Sequence, residues 1–411
     1  MCALGCNNHT TASPGDLMDI RKLSRGRSLL DVSAVAVAVF SVAVALSAMG
    51  VRSAGAEPTE SPNPVPASTT SLGATPVAKA ETATSGVVLI PDGGVDLWSG
   101  PDRDPYFRIH ENMALGFTHR QDDWLHVTTN CNDTAWVKAG DVVVVPSSNQ
   151  QDPGNGFDVS EAVVVLDAGH GDRDWGGVGP SGLSEKSVNL DIANRVSTLL
   201  TGDHNVDWES GAVTAGTAVP AFRDVILTRD DAGPNDGDFE ANLSYRVGLA
   251  NAAAADAFIS IHNNTVPRVD SDIPGSEVFY SSAAEGSDRL AGIIYEELLL
   301  SFSSFTADWS GGEIPGARSR LDPDTDEDYY GLLRRATVPA VIVEGVYISE
   351  PEEEALLATE EFRQAYAEAV YRGVVRFLTT DDPGAEPNPP EYFYYDSGTV
   401  SGDVCIVPEQ P

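Results

Sequence analysis

Three short apolar runs, each followed at once by polar residues, constrain the fold of this 411-residue chain more than any other feature. The runs comprise residues 162–166, 257–261 and 340–343. Their length and β-branched content are typical of buried strands. The polar residues that follow include His170, His262 and Glu344. Because side chains at the carboxyl ends of strands in open α/β sheets meet in one crevice, we expect these three to converge.

Strand-like runs alternate with helical stretches from residue 161 to 380, which predicts a layered α/β domain with helices on both faces of the sheet. The clearest helix follows Ser184, a residue type that caps helices, and we expect Gly202 to end it in the left-handed conformation. Glu185 therefore falls in the first turn of a rigid element. Further helices are predicted at 243–256, 287–303 and 360–378.

An earlier group of short apolar bursts, between residues 86 and 148, predicts a small β-barrel that precedes the α/β domain. The bursts comprise residues 87–90, 95–98, 124–127, 135–137 and 142–145. The first tryptophan-bearing burst ends in Ser99-Gly100-Pro101, and with the later bursts around Trp124 and Trp136 it resembles a bacterial SH3 domain. The resemblance implies a wall-targeting module, joined to the α/β domain by a linker at 149–160.

The amino-terminal segment has the features of an export signal. Residues 1–28 are polar and contain several basic residues, and the apolar run that follows, 29–49, would span about 30 Å as a helix. Ala54-Gly55-Ala56 suits a signal peptidase, so we favour a removed signal peptide over 1–56, with an uncleaved signal-anchor as the alternative. The protein is thus expected to be exported, to the envelope or beyond, and to contact a membrane only through that run if it is retained.

Composition predicts two flexible segments and leaves one disulfide question open. Residues 57–85 are rich in Pro, Ser and Thr, and residues 381–411 in Pro and Gly, so neither is expected to bury a core. Four cysteines are too few for a disulfide scaffold or a thiolate metal site. A bridge between Cys131 and Cys405 stays open, because an exported protein can keep one.

The acidic balance of the chain restricts its partners. The formal net charge of −37 argues against binding to nucleic acid. The acidic residues can serve solubility, or they can recognise a specific partner by charge, and the sequence leaves both open.

The ordered motifs of the α/β domain resemble the zinc-dependent N-acetylmuramoyl-L-alanine amidases of the Amidase 3 type. The motifs comprise residues 163–171, 182–190, 227–229, 243–246, 250–251, 260–262 and 338–344. The resemblance implies one zinc ion per catalytic domain, bound by His170, Glu185 and His262, with Glu344 as the catalytic carboxylate. It also implies that the substrate is peptidoglycan, cut between N-acetylmuramic acid and L-alanine.

The chemistry of these residue types agrees with the resemblance. Two neutral imidazoles and one carboxylate leave a fourth tetrahedral position for water, which is the arrangement of catalytic zinc. Zinc would lower the pKa of that water from about 15.7 to about 7, and Glu344 would take its proton and pass it to the departing amine. Arg246 and Asn251 also occur in the motifs, but an arginine on a helix commonly forms a structural ion pair, so we place both outside the catalytic set.

Two alternative functions remain open at this point. One is a wall-binding or regulatory homologue that keeps the fold without activity. The other is a zinc peptidase that cuts within the stem peptide, since its metal chemistry would be the same.

Overall fold

The computed structural model describes residues 77–91, 93–109, 113–129, 133–149, 151–171, 174–229, 239–265, 269–311 and 315–393. The predicted signal segment 1–56, residues 57–76 of the predicted linker, and both Cys131 and Cys405 lie outside these ranges. Among the residues that are described, no helix combines the length and the apolar character needed to cross a bilayer.

The elements fall into an all-β part followed by an α/β part. The helices of the described ranges are α1 (Val77–Thr82), α2 (Glu185–Leu200), α3 (Phe239–Ala253), α4 (Ser287–Phe302), α5 (Gly331–Arg334), α6 (Pro351–Leu357) and α7 (Glu360–Thr379). The strands of the first part are β1 (Gly86–Leu89), β2 (Val95–Trp98), β3 (Pro105–Ile109), β4 (Ala114–Gln121), β5 (Trp124–Thr128), β6 (Thr134–Lys138) and β7 (Val143–Pro146). The later strands are β8 (Val163–Ala168), β9 (His204–Val206), β10 (Val213–Ala215), β11 (Asp224–Leu227), β12 (Ala257–Asn264), β13 (Val269–Ser271), β14 (Glu277–Tyr280), β15 (Trp309–Gly311), β16 (Gly316–Arg318), β17 (Arg320–Leu321), β18 (Ala340–Tyr347) and β19 (Glu391–Tyr392).

Strands β1 to β7 form one antiparallel sheet in the order β3-β2-β6-β5-β4-β1-β7. Alternate residues of β2 and β6 are buried, as expected where one face of a sheet covers a core. The five apolar bursts of the sequence correspond to β1, β2, β5, β6 and β7, while β3 and β4 complete the sheet.

The second part is built on a six-stranded mixed sheet in the order β11-β8-β12-β18-β14-β16. Strands β11, β8, β12 and β18 run parallel, and β14 pairs antiparallel with β18. Alternate residues of β8 belong to different cores: Val164 and Leu166 to the core that contains residues of α2, α4 and α7, and Val163 and Val165 to the core that contains residues of α3 and α5. The predicted α/β fold with helices on both faces is confirmed.

Helix α3 packs against both sheets. It contacts β1 and β4 of the antiparallel sheet and β8 and β12 of the mixed sheet. The hydroxyl oxygen of Tyr245 accepts a hydrogen bond from the backbone N–H of Ala114 at 3.3 Å. A Cβ added at Gly116 would lie 2.8 Å from the Cβ of Ala252, so the helix and β4 are in direct contact. One apolar core therefore runs through both parts, and the expected linker at 149–160 does not separate two independent cores.

The segment after α7 differs from the flexible tail expected at 381–411. Strand β19 pairs in parallel with β17, and the backbone N–H of Phe393 donates to the carbonyl oxygen of Leu321 at 2.8 Å. The guanidinium of Arg320 also lies 2.7 Å from a carboxylate oxygen of Glu391. Pairing of backbone groups thus orders this Pro-rich segment as far as Phe393, and the residues beyond it lie outside the described ranges.

Candidate metal centre

Three of the predicted site residues meet at one edge of the mixed sheet. His170 follows β8, Glu185 opens α2 and His262 lies within β12. Their candidate ligand atoms all lie within 4.8 Å of one another. Nε2 of His170 is 3.2 Å from Oε1 of Glu185, and Nδ1 of His262 is 3.1 Å from the same oxygen. This group could hold a metal ion.

The turn that carries His170 is held by buried arginines. His170 has a φ of +61°, a left-handed conformation that few residues with a side chain adopt. Arg246 donates to the carbonyl oxygen of His170 at 2.8 Å and to Oδ1 of Asp167 at 2.6 Å. Arg229 donates to the carbonyl oxygen of Ala168 at 2.7 Å. These contacts satisfy backbone groups that the end of the strand leaves unpaired.

Asp167 anchors the same turn from inside the core. Burial alone would raise its pKa, but the Arg246 charge and hydrogen bonds from Ser260 and Thr228 outweigh burial and lower the pKa of Asp167 to about 2. The carboxylate therefore stays ionised and paired. Arg246, which we placed outside the catalytic set, does form the structural ion pair expected of it.

Two glycines make room for the imidazoles. A Cβ at Gly169 would lie 2.1 Å from Nε2 of His262. At Gly176, where φ is +63°, a Cβ would lie 2.5 Å from Cδ2 of His170 and 2.6 Å from Oε2 of Glu185. Any other residue at either position would displace a candidate ligand, so the backbone is shaped around the donor set.

Hydrogen-bond partners orient each donor. Nδ1 of His170 lies 2.8 Å from Oδ2 of Asp174, which directs Nε2 towards Glu185, as second partners of metal-binding histidines do. Burial opposes a charged imidazole at His170, but hydrogen bonds with Asp174 and Glu185 prevail and raise its pKa to about 10. Glu185 accepts from the backbone N–H groups of Gly177 at 2.6 Å and Asn263 at 3.1 Å.

The carboxylate of Glu185 is strongly biased towards its charged form. It is 2% exposed, and burial would raise its pKa. Hydrogen bonds with His170 and His262 outweigh burial and hold the pKa of Glu185 well below its usual range. A buried anion between two imidazoles is a donor set suited to a divalent cation with nitrogen and oxygen ligands.

Glu344 faces the same cavity from β18. It pairs in register with His262 on β12 and with Glu277 on β14. Its Oε2 is buried and has no hydrogen-bond partner among the described residues. Burial and the neighbouring Glu185 charge raise the pKa of Glu344 to about 8. An unpaired buried carboxylate oxygen is costly, and its position beside a cavity provides a reason for it.

The cavity has a volume of about 420 Å³, within the usual range for small-molecule sites. It is lined by His170, Gly176, Gly177, Val178, Glu185, His262, Asn263, Asn264, Thr265, Glu344 and Ser349. All four predicted site residues therefore line the same cavity. His262 and Glu344 lie inside their strands rather than beyond them, because β12 and β18 continue past the apolar runs.

Tyr366 of α7 supports the site but was not identified from the sequence. Its hydroxyl lies 3.0 Å from the carbonyl oxygen of His262 and 3.1 Å from that of Val343. A Cβ at Gly345 would lie 2.3 Å from its ring. In the sequence, Tyr366 is one of several large residues on the buried face of α7, so no feature of the neighbouring residues distinguishes it.

The short helix α6 forms hydrogen bonds with the turn that precedes Glu185. Glu354 accepts from the backbone N–H groups of Ser181 at 2.9 Å and Leu183 at 3.1 Å, in the turn that leads into Glu185. Its side chain fills the space beside Gly179, where a Cβ would lie 2.2 Å from Oε1. Glu354 is 2% exposed, so these bonds are shielded from water.

The sequence of residues 164–376 matches the protein family described as N-acetylmuramoyl-L-alanine amidase. The chain belongs to this family. The match covers about half of the chain and includes all four predicted site residues.

Several curated amidases are similar to this chain over the same region. The germination-specific N-acetylmuramoyl-L-alanine amidase of Bacillus subtilis is 28% identical over 229 residues, which cover 54% of this chain and 81% of that protein. The amidase AmiA of Escherichia coli is 30% identical over 247 residues, covering 53% of this chain and 76% of AmiA. The amidase LytC of Bacillus subtilis is 31% identical, but the match covers only 35% of its length.

Among solved structures, the amidase AmiC2 of Nostoc punctiforme is similar to this chain at 29% identity. The match covers 53% of this chain and 97% of AmiC2, with a TM-score of 0.39.

Proposed function

We propose that this amidase hydrolyses the amide bond between N-acetylmuramic acid and L-alanine in peptidoglycan, with Glu344 as its catalytic carboxylate and a zinc ion held by His170, Glu185 and His262. The observation that carries the proposal is geometric. Three donors lie within 4.8 Å of one another, and the same cavity is lined by Glu344, whose Oε2 has no hydrogen-bond partner in the described part of the chain.

Zinc fits the residues present. Two imidazoles and one carboxylate are its usual ligands in catalytic sites, and Gly169 and Gly176 leave the space that their side chains need. When bound, zinc would supply a more acidic water molecule and polarisation of the amide carbonyl.

The protein's own groups account for the proton transfers. Glu344 lines the cavity and, in its ionised form, takes a proton from the attacking water. The same carboxyl then gives that proton to the nitrogen of L-alanine as the carbon–nitrogen bond breaks. Such a shuttle typically contributes about 10²- to 10⁴-fold to the rate.

The remaining assignments of the amino-terminal half belong to the same proposal. We propose that segment 1–56 exports the enzyme to the envelope or beyond. We also propose that the sheet of residues 86–146 is an SH3-like module that retains the enzyme on peptidoglycan. Its partly exposed aromatic side chains support this role: the rings of His126 and Trp136 lie 4.9 Å apart, and Nζ of Lys138 lies over the ring of Trp98. Binding of the purified protein to isolated walls, with Trp136→Ala as the weakened variant, tests the retention step.

Digestion of defined muropeptides tests the central assignment. The zinc-loaded protein should release intact stem peptides with a free L-alanine amino group, and removal of zinc by a chelator should abolish release. Fragments cut within the stem would indicate a zinc peptidase instead. Wall binding without any released product would indicate a silent homologue, and chelator-resistant release would contradict the metal assignment.

A further inference from the structure

A large exposed aromatic side chain directly precedes three residues that line the cavity, Gly176, Gly177 and Val178. Trp175 is 56% exposed, and Val178, which lines the cavity, is 53% exposed. Tryptophan is highly buried on average and is enriched at interfaces, where its ring offers a large apolar surface to a partner.

The backbone fixes the position of this ring relative to the candidate metal centre. The carbonyl oxygen of Trp175 accepts from the backbone N–H of Lys186 at 3.2 Å, next to Glu185. On either side in sequence, Asp174 is bonded to His170, and Gly176 lines the cavity. Trp175 therefore lies between two residues that are in contact with the donor set.

One part of the ring already has a partner. Nζ of Lys186 lies 4.0 Å from the ring centroid, in the geometry of a cation–π contact. That contact orients the indole and leaves more than half of the residue's surface open to solvent. The ring is thus held by Lys186 and exposed to solvent, and it directly precedes the cavity-lining residue Gly176 in the chain.

The proposed substrate brings a suitable group to that position. In the muramoyl group, three bonds separate the pyranose ring from the carbonyl carbon of the scissile amide. When the amide reaches the metal centre, the sugar must therefore lie near the rim. A pyranose presents a flat face of C–H groups, whereas L-alanine, on the other side of the amide, has no comparable surface.

We propose that Trp175 is a specificity-determining residue that stacks against the pyranose ring of the muramoyl group. This inference rests on the proposed function, and it adds a sugar-recognition surface to it. The contact would form equally in the ground state and the transition state, so its loss should raise KM and leave kcat unchanged.

Two substrates with the same stem peptide test the inference. One carries N-acetylmuramic acid, and the other carries only a D-lactoyl group, which keeps the scissile amide but has no pyranose. With Trp175→Ala, kcat/KM for the muramoyl peptide should fall about tenfold, the scale of one ring contact, and kcat/KM for the lactoyl peptide should not change. Trp175→Phe should retain most of the activity on both.

The matched control is Trp208→Ala. Trp208 is 47% exposed but lines a different cavity, together with Arg376 and Asp382, so neither substrate should be affected. An equal loss on both substrates with Trp175→Ala would place the ring on the peptide side and overturn the inference. No loss on either substrate would also overturn it.

Binding of the methyl glycoside of N-acetylmuramic acid, measured by calorimetry, separates this inference from the proposed function. Weaker binding to Trp175→Ala than to the wild type would support sugar stacking even if neither peptide is cut. Equal binding to both proteins would reject sugar stacking, whatever the activity of the enzyme.

Discussion

Gly169 and Gly176 lie against the imidazoles of His262 and His170, at positions where a Cβ would overlap a ring. The geometry of the donor set therefore depends on the lack of a side chain at these two glycines as well as on the donor residues themselves. At Gly176 the positive φ adds a second reason, because other residues rarely adopt it.

Glu344 gives the most direct prediction at the scale of one residue. Glu344→Gln keeps the shape of the side chain but removes the proton acceptor, so kcat should fall about 10²- to 10⁴-fold. Zinc content, measured by elemental analysis, should stay at one ion per chain because Glu344 is not a proposed ligand. Full turnover in this variant would remove Glu344 from its role, whereas loss of zinc would make it a ligand.

Asp167 gives a prediction about stability and its pH dependence. Asp167→Asn leaves the buried Arg246 guanidinium without its carboxylate, so the free energy of unfolding should fall by about 3 kcal/mol at neutral pH. The pKa of Asp167 in the folded state, about 2, lies below its ordinary value of 3.8. The ion pair therefore stabilises the fold above pH 3.8, and this contribution is lost as the pH falls towards 2.

Denaturant unfolding at several pH values checks this prediction. The difference between the wild type and Asp167→Asn should be constant at neutral pH and shrink below pH 3.8. Asp96→Asn is the control, since Asp96 pairs with Arg108 at 2.8 Å on the surface and should cost less than about 1 kcal/mol. A difference between wild type and Asp167→Asn that stays constant down to pH 2 would contradict the assignment.

The sequence identified residues whose chemistry is visible locally and missed those that act through packing. His170, Glu185, His262 and Glu344 interrupt apolar runs or open a helix, so their residue types stand out. Tyr366 supports the site because α7 brings its hydroxyl to backbone carbonyl groups of β12 and β18, and a long-range contact of this kind leaves no local pattern.

At the scale of elements, helix α6 links segments that are distant in the chain. Its consecutive glutamates each accept backbone hydrogen bonds: Glu352 from Asp308, Glu353 from Ser310 and Tyr347, and Glu354 from Ser181 and Leu183. These bonds connect β18, which carries Glu344, to the turn before Glu185. The position of Glu344 relative to Glu185 therefore depends on helix α6, which contains neither residue.

Glu354→Ala should weaken zinc binding about tenfold, because the turn that presents Glu185 loses its buried acceptor. Competition with a chromogenic chelator measures the Kd, and thermal unfolding of the zinc-free protein reports any general destabilisation. Glu352→Ala is the matched control, since the exposed Glu352 bonds to Asp308 instead. Equal zinc affinity in both variants would show that α6 has no part in positioning Glu185.

The local sequence patterns predicted where helices lie more accurately than they predicted where helices begin and end. The helices expected at 287–303 and 360–378 are observed as α4 (Ser287–Phe302) and α7 (Glu360–Thr379). Helix α2 ends at Leu200, and Gly202 does not adopt a left-handed conformation. The helix expected at 243–256 begins earlier, as α3, and ends at Ala253 before Ala254, which has a φ of +45°.

At the scale of the whole molecule, the two sheets share helix α3 and one apolar core. Tandem domains with separate cores can unfold independently, whereas parts that share a core unfold together. The sequence could not predict this arrangement, because the short apolar bursts and the α/β pattern each account for a fold on their own.

Gly116→Val tests the shared core. The new side chain would meet Ala252 of α3 and separate the sheet from the helix, so the Tm should fall by several degrees, the effect of about 1–3 kcal/mol of overpacking. Differential scanning calorimetry should show a single transition for the wild type and for the variant. Gly140→Val is the control, since no atom lies within 4 Å of its added Cβ. Two separate transitions in the wild type would refute a common core.

Helix α3 also limits how such a protein can be recombined. Replacing residues 86–146 with the equivalent module of another hydrolase would leave Tyr245 and Ala252 facing a surface that did not evolve with them. A working chimera would need to include helix α3, or at least the residues of α3 that contact the all-β sheet, together with the transplanted module. The all-β part therefore cannot be exchanged without adapting the helix against which it packs.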